Sequence, residues 1–142
     1  MRHYSSSSRL LMVFLTLPQT IVGAILVAFY AITKQIDYIE KYPPNIDGCY
    51  IVYLRNKNNK IFSLSMGLFI IIKKEVELPF CLQHEYGHYI LNKYLFWFYL
   101  PLIGIPSLIM YWIHKDDENF EKVYYSKYPE FIADRLGGVK RY

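Results

Sequence analysis

His84-Glu85-Tyr86-Gly87-His88 is the stretch from which the rest of the chain can be read, because it carries the pattern H-E-x-x-H. On a helix, residues four apart share one face, so both imidazoles can reach a single metal ion while Glu85 points toward water bound beside it. That combination is hydrolytic chemistry, with two nitrogen ligands for zinc and a carboxylate as general base. The stretch follows Pro79, which suits a first helical turn, and Phe80-Cys81-Leu82-Gln83 leads into it without a helix breaker. Gly87 costs some helix stability, yet it lets another backbone or a substrate come close to the metal side.

Catalytic zinc takes three protein ligands and leaves a fourth position to water, so a third ligand has to come from elsewhere. Extending the helix to a third histidine, as in H-E-x-x-H-x-x-G-x-x-H, is excluded because the required positions hold Leu91 and Tyr94. A glutamate from a later helix is the other solution, and Glu130-Phe131-Ile132-Ala133-Asp134-Arg135-Leu136-Gly137-Gly138 offers one. Glu130 and Asp134 are spaced i, i+4, so one can bind the metal while the other accepts a hydrogen bond from the far nitrogen of a ligand histidine. The bland alternatives are a pair of satisfied histidines and a solvated helix face beside Arg135. Cys81, three residues before His84, can face the metal, although a cysteine entering an aromatic-rich helix is more often a small buried apolar residue.

At this point the chain resembles the gluzincins, metalloproteases in which H-E-x-x-H is completed by a downstream E-x-x-x-D helix. Glu130-x-x-Ala133-Asp134 looks like the E-x-x-A-D element of the neprilysin and Ste24/HtpX-like membrane proteases. That resemblance implies Glu130 as the ligand and Asp134 as the residue that orients a ligand histidine. A second resemblance, to short bacterial membrane proteins and toxin-associated domains with H-E-[YW]-G-H, Y-L-P-x-I-G-I-P-S-L and W-A-D-[RK]-L-G-G-V elements, spans most of the chain. Those elements read here as Tyr99 to Leu108 and Ile132 to Val139, with Ile132 in place of the usual tryptophan. It implies a bacterial inner-membrane location and says little about substrate.

A chain of 142 residues has room for one small domain, from which any membrane segments must be subtracted. Hydrophobic residues at 54% and aromatics at 18% are high for a soluble domain, and 15 tyrosines suggest side chains at polar–apolar boundaries, so the composition points to a membrane protein with the lipid bilayer as a partner. A net charge of +4 with no basic run argues for contact with anionic lipid and against nucleic acid. Two cysteines, Cys49 and Cys81, exclude a cysteine-rich zinc module or a disulfide scaffold.

Met1 to Arg9 reads as a short polar and basic lead in contact with headgroups. Leu10 to Thr33 then runs without a charge and as a helix would be about 36 Å long, enough to span a bilayer, with Pro18 and Gln19 near one end marking a kink. A cleaved signal peptide is the alternative, but the run is long and has no clear cleavage site. Tyr94 to Ile113 is uncharged too. A single crossing there would put His84 and His88 on one side of the membrane and Glu130 on the other, so the Pro101, Gly104 and Pro106 cluster predicts a re-entrant hairpin, the alternative being an apolar hairpin inside the catalytic domain.

Between these segments, Lys34 to Pro79 reads as a loop followed by strands. Pro43 to Gly48 is turn chemistry, Cys49 to Leu54 a strand, Asn56 to Lys60 a polar reversal, and Ile61 to Ile72 the second arm of a hairpin with a bulge at Gly67. That arm either binds extended substrate by strand addition or only covers the metal helix. A final helix is expected from about Tyr128 to Leu136, stopped by Gly137-Gly138.

The expected fold is thus α+β, a membrane-anchored minimal zincin. It has an N-terminal transmembrane helix, a β-hairpin or small sheet, the H-E-x-x-H helix, a re-entrant apolar helical hairpin and a C-terminal ligand helix. Residues 1–33 form the lead and anchor, and 34–142 a metallopeptidase domain that includes the apolar hairpin 94–113. The expected chemistry is Zn2+ held by His84, His88 and Glu130, with Glu85 as general base and Asp134 behind a ligand histidine. Tyr86, Tyr124, Tyr125, Tyr128, Arg135 and His114 all offer a donor for the developing oxyanion. The function expected is a membrane-bound endopeptidase acting on a peptide or membrane-protein substrate. The alternatives are an intramembrane protease of the site-2 type and a non-catalytic, zinc-stabilised interaction or immunity-like module.

Overall fold

Runs of β-branched and aromatic residues set the centre of the molecule. The structure is a computed structural model that describes residues 6–42, 48–55, 63–73 and 80–141. Cys49–Leu54 (β2) and Phe69–Lys73 (β4) are such runs, and they pair in parallel from Tyr50 opposite Phe69 to Leu54 opposite Lys73. Ile36–Tyr42 (β1) flanks β2 and Ser63–Met66 (β3) flanks β4, both antiparallel, giving the order β1-β2-β4-β3.

The alternation of the strands divides the core between two faces. Cys49, Ile51, Tyr53, Ile70 and Ile72 point one way and pack on Leu82, Tyr86 and Tyr89 of the helix Phe80–Leu95 (α3). Val52, Leu54 and Ile71 point the other way and pack on Leu26, Val27 and Tyr30 of a second helix, Leu17–Ile32 (α2). The sheet is therefore covered on both sides, and its two central strands read as continuous apolar runs for that reason.

This packing overturns the membrane anchor expected over Leu10 to Thr33. The run is broken at Thr16 into Ser6–Leu15 (α1) and α2, with Pro18, which cannot donate to the helix ladder, seated in the first turn of α2. At 16 residues α2 is about 24 Å long, short of the roughly 30 Å of a hydrocarbon core, and one of its faces is spent on the sheet. Among the described residues no helix is long and apolar enough to cross a membrane. The expected inner-membrane location loses its support with the anchor. Leu10, Phe14, Ile25, Phe29 and Ile32 remain exposed on the outer faces of α1 and α2.

The re-entrant hairpin expected over 94–113 is corrected as well. The break falls at Phe96, whose φ is 51°, within a 3-10 turn Phe96–Phe98, and not at the proline and glycine cluster. Pro101 and Gly104 are accommodated in a π turn, Leu100–Gly104, that runs straight into Ile105–His114 (α4). A buried amide secures the break, since Gln19 Nε2 of α2 donates to the Phe96 carbonyl. Two short helices complete the chain, Phe120–Tyr125 (α5) and Glu130–Gly137 (α6).

The strand reading changes in two places. β2 and β4 run in parallel, so they are not the two arms of one hairpin, and the described part of the arm expected over Ile61 to Ile72, from Ser63 on, folds on itself as β3 and β4. The turn between them holds Gly67 at φ 60°, where a bulge was expected, and a Cβ there would lie 2.3 Å from Thr20 Oγ1 of α2. Ile36–Tyr42, expected as loop, is an edge strand, and Ser6 to Arg9 of the expected lead belong to α1. The reversal at 56–60 and the turn at 43–47 lie outside the described residues.

Gly67→Ala meets both a left-handed backbone and a helix with no room for a methyl group. It is expected to destabilise the protein by about 2–4 kcal/mol, read as a lowered urea midpoint with an unchanged slope.

Candidate metal centre

The two helices that carry the motif residues meet backbone to backbone. A Cβ on Gly87 of α3 would lie 1.9 Å from the Ala133 carbonyl oxygen of α6, and one on Gly137 would lie 1.9 Å from the Gln83 carbonyl oxygen. Only glycine fits at either contact. The approach brings Glu130, in the first turn of α6, against His84 and His88, one turn apart on α3.

Glu130 Oε2 lies 3.0 Å from His84 Nε2 and 3.1 Å from His88 Nε2. The three ligand atoms fall within 4.8 Å of one another, and all three residues are buried. In a tetrahedral site with bonds of about 2.0–2.1 Å, neighbouring ligands stand roughly 3.3 Å apart, so the spacing suits one ion between them. The donor set agrees, two imidazole nitrogens and one carboxylate oxygen. Glu130 Oε1 is buried with no hydrogen-bond partner among the described residues, which leaves that carboxylate half-satisfied as a purely structural group. The His84, His88 and Glu130 group can therefore hold a metal ion.

His84 is steered from behind. Its Nδ1 donates to Asp134 Oδ1 at 2.7 Å, which leaves Nε2 for the centre of the site. Asp134 is gripped by Arg141, whose Nε donates to Oδ2 at 2.6 Å and whose Nη2 donates to Oδ1 at 3.2 Å. The Arg141 guanidinium in turn lies 3.5 Å over the ring of Tyr125, and that ring stands edge-on to His84 at 4.9 Å. Sequence reasoning did not single out Arg141. It lies beyond the helix stop, outside any helical spacing, and its one signal was a cation close after an acidic helix.

The charges settle one another. Burial works against a charge on His84, but its bonds to Asp134 and Glu130 outweigh this and raise its pKa to about 9. Burial works against ionised Glu130 too, and the two imidazoles hold it well below the usual carboxylate range. Asp134 is lowered against its own burial by His84 and Arg141.

Glu85, expected as general base, does not join the ligand group. It lines a cavity of about 760 Å³ together with His84, His88 and Glu130, and Ser63 Oγ of β3 donates to its Oε1 at 2.6 Å. Cys81 also lines this cavity but stands outside the ligand group, and burial, with Glu85 nearby, pushes its thiol up to about 11.

Of the six donors considered for an oxyanion, only Tyr124 and Tyr125 line the cavity. Tyr86 packs in the core against Tyr42 and Tyr89, Tyr128 Oη donates to the Leu102 carbonyl, His114 pairs with Asp117 at 2.6 Å, and Arg135 is exposed. Tyr99 and Tyr111, which sequence reasoning passed over, line the cavity as well. Burial and the Glu130 charge raise the Tyr124 phenol, so it keeps its proton and can donate.

Comparison of the chain with protein-family models, with curated proteins and with solved structures gives no match.

Two measurements check this arrangement. Gly87→Ala must push α6 away from α3, so affinity for a divalent metal ion, titrated with Zn2+ as the probe, is expected to fall at least tenfold, on the scale of a disturbed ligand shell. Glu130→Ala should abolish binding of the probe ion at this site, while Asp134→Ala, which keeps His84, His88 and Glu130, should lower affinity by on the order of 10–100-fold. Full metal content in Glu130→Ala would exclude this ligand set.

Proposed function

We propose that the protein is a zinc-dependent endopeptidase of the gluzincin type. The observation that carries the proposal is the convergence of three buried ligands and a separate carboxylate, Glu85, on one cavity. A site that only stabilises a fold closes its fourth position with another ligand and has no use for a free carboxylate beside it. When bound, zinc lowers the pKa of a coordinated water toward roughly 7 and polarises a carbonyl.

The remaining steps belong to the chain's own residues. Glu85 takes a proton from the attacking water and returns it to the leaving amine. Ser63, donating to Oε1, fixes the orientation of that carboxylate from the sheet side. Tyr124, held at the cavity wall with its Oη 3.1 Å from Ser107 Oγ, offers a protonated phenol to developing negative charge. Asp134, held by Arg141, takes the Nδ1 of His84 and so turns its Nε2 toward Glu130 and the centre of the ligand group.

The substrate class follows from the walls. β3 is an edge strand whose outer side has no strand partner among the described residues, and its residues Ser63 to Met66 line the cavity. An extended peptide can add to that edge and place a carbonyl over the metal helix. Leu64, Met66, Leu108, Tyr111 and Phe120 give apolar walls for its side chains.

Glu85→Gln separates the roles. It is expected to lower peptide turnover by a factor of about 10²–10⁴ or more while zinc stays bound at one per chain, measured with a quenched fluorescent peptide library and metal analysis. Loss of zinc in that variant would assign Glu85 to the ligand set. Unchanged turnover would end the peptidase reading.

A further inference from the structure

Three buried polar atoms on one face of α3 lack a hydrogen-bond partner among the described residues: His88 Nδ1, Asn92 Oδ1 and Asn92 Nδ2. His88 and Asn92 are 5% and 1% exposed, so water does not reach them freely. Buried polar groups in folded proteins are paired in the great majority of cases, and two neighbouring orphans of complementary type are the strongest hint of a pair. The residues are spaced i, i+4 on one helix, where Cβ atoms stand about 5–6 Å apart, and helical side chains lean back toward the N-terminus, which tilts Asn92 onto His88.

The other ligand histidine shows what His88 lacks. His84 Nδ1 has Asp134 at 2.7 Å, whereas His88 has its Nε2 on Glu130 and nothing on Nδ1. A histidine that binds a metal through Nε2 carries its proton on Nδ1, and that N–H needs an acceptor. We infer that Asn92 is the positioning residue for His88, its Oδ1 accepting the Nδ1–H once the amide rotates on its own side chain. The two ligands of α3 are then oriented by different devices. His84 is held by a charged carboxylate delivered from α6, and His88 by a neutral amide from its own helix. The amide orients the ring without adding a charge to a site that already buries Glu85, Glu130 and Asp134.

The inference rests on the metal-binding reading of the site and not on peptidase activity, so it is tested by metal and by nuclear magnetic resonance on the full chain. In the Zn2+-loaded protein the His88 Nδ1–H should give a resolved downfield proton resonance that exchanges slowly with water. In Asn92→Ala that resonance should broaden or move upfield, while the corresponding His84 resonance keeps its position, and Zn2+ affinity by chelator competition should fall by on the order of 10–100-fold. Asn92→Asp, nearly the same shape and still an acceptor, should keep the resonance and move it further downfield, and this variant decides the matter if Asn92→Ala does not fold. Affinity within twofold of the original in Asn92→Ala, or loss of the His88 resonance in Asn92→Asp, would overturn the assignment. Failure of the unmodified protein to bind Zn2+ would remove its premise, whereas absence of peptide turnover alone would overturn only the function proposed above.

Discussion

Everything at the metal centre depends on how closely α6 can approach α3. Helices in contact normally stand 8–10 Å apart, the distance being set by the side chains between them. Here the contact residues are Gly87, Ala133 and Gly137, and the carbonyl oxygens of Ala133 and Gln83 occupy the space where side chains would otherwise stand. One turn to either side of Ala133, Glu130 and Gly137 lie along the same stripe of α6. The helix thus uses one face for two purposes. Its small residues set the distance, and its carboxylates fall on the histidines that the distance brings within reach.

A buried carboxylate between two imidazoles is costly unless its charge is answered, and the site answers it through a chain of charge-assisted bonds. Arg141 holds Asp134, Asp134 holds His84, and His84 and His88 share Glu130. Removing any inner member leaves a buried charge without a partner, and such losses commonly exceed what the bond itself contributed. The outermost member is the Arg141 guanidinium stacked on Tyr125, so a residue beyond the α6 stop anchors a network that ends at His84, His88 and Glu130. Glu85 stands outside this network and accepts a hydrogen bond from the Ser63 hydroxyl of β3.

The residues of the site were legible in the sequence because helical spacing is rigid. His84 and His88, and again Glu130 and Asp134, are four apart, and a helix converts that number into a shared face whatever the tertiary structure does. Arg141 has no such spacing, and β1 was hidden because Asp37, Glu40 and Lys41 interrupt its apolar pattern beside a long hydrophobic run. The membrane segments failed for a related reason. Hydropathy records how much apolar surface a segment carries and not what covers it, and the face of α2 that meets Val52, Leu54 and Ile71 has the same composition as one that meets lipid. Length is the discriminating quantity, and it depends on where the helix breaks. Pro18 and Phe96 place those breaks, the first visible in the sequence and the second fixed by a positive φ that no residue type announces.

The tyrosines follow the same logic from the other side. Their abundance suggests boundaries between polar and apolar surroundings, and one such boundary in this molecule is the cavity. Tyr99, Tyr111, Tyr124 and Tyr125 line it, and the rings of Tyr111, Phe120, Tyr124 and Tyr125 pack on one another in a continuous wall. A phenol serves such a wall better than phenylalanine, since its ring packs and its hydroxyl ties one element to the next. Tyr124 reaches Ser107 of α4, and Tyr128 reaches the carbonyl of Leu102 in the π turn, so the roof made by α4 is fastened to the segment that leads directly into Glu130. Any movement that opens the cavity between β3 and α4 must therefore either break these hydroxyl contacts or carry the start of α6 with it. That links access to the cavity with the placement of Glu130.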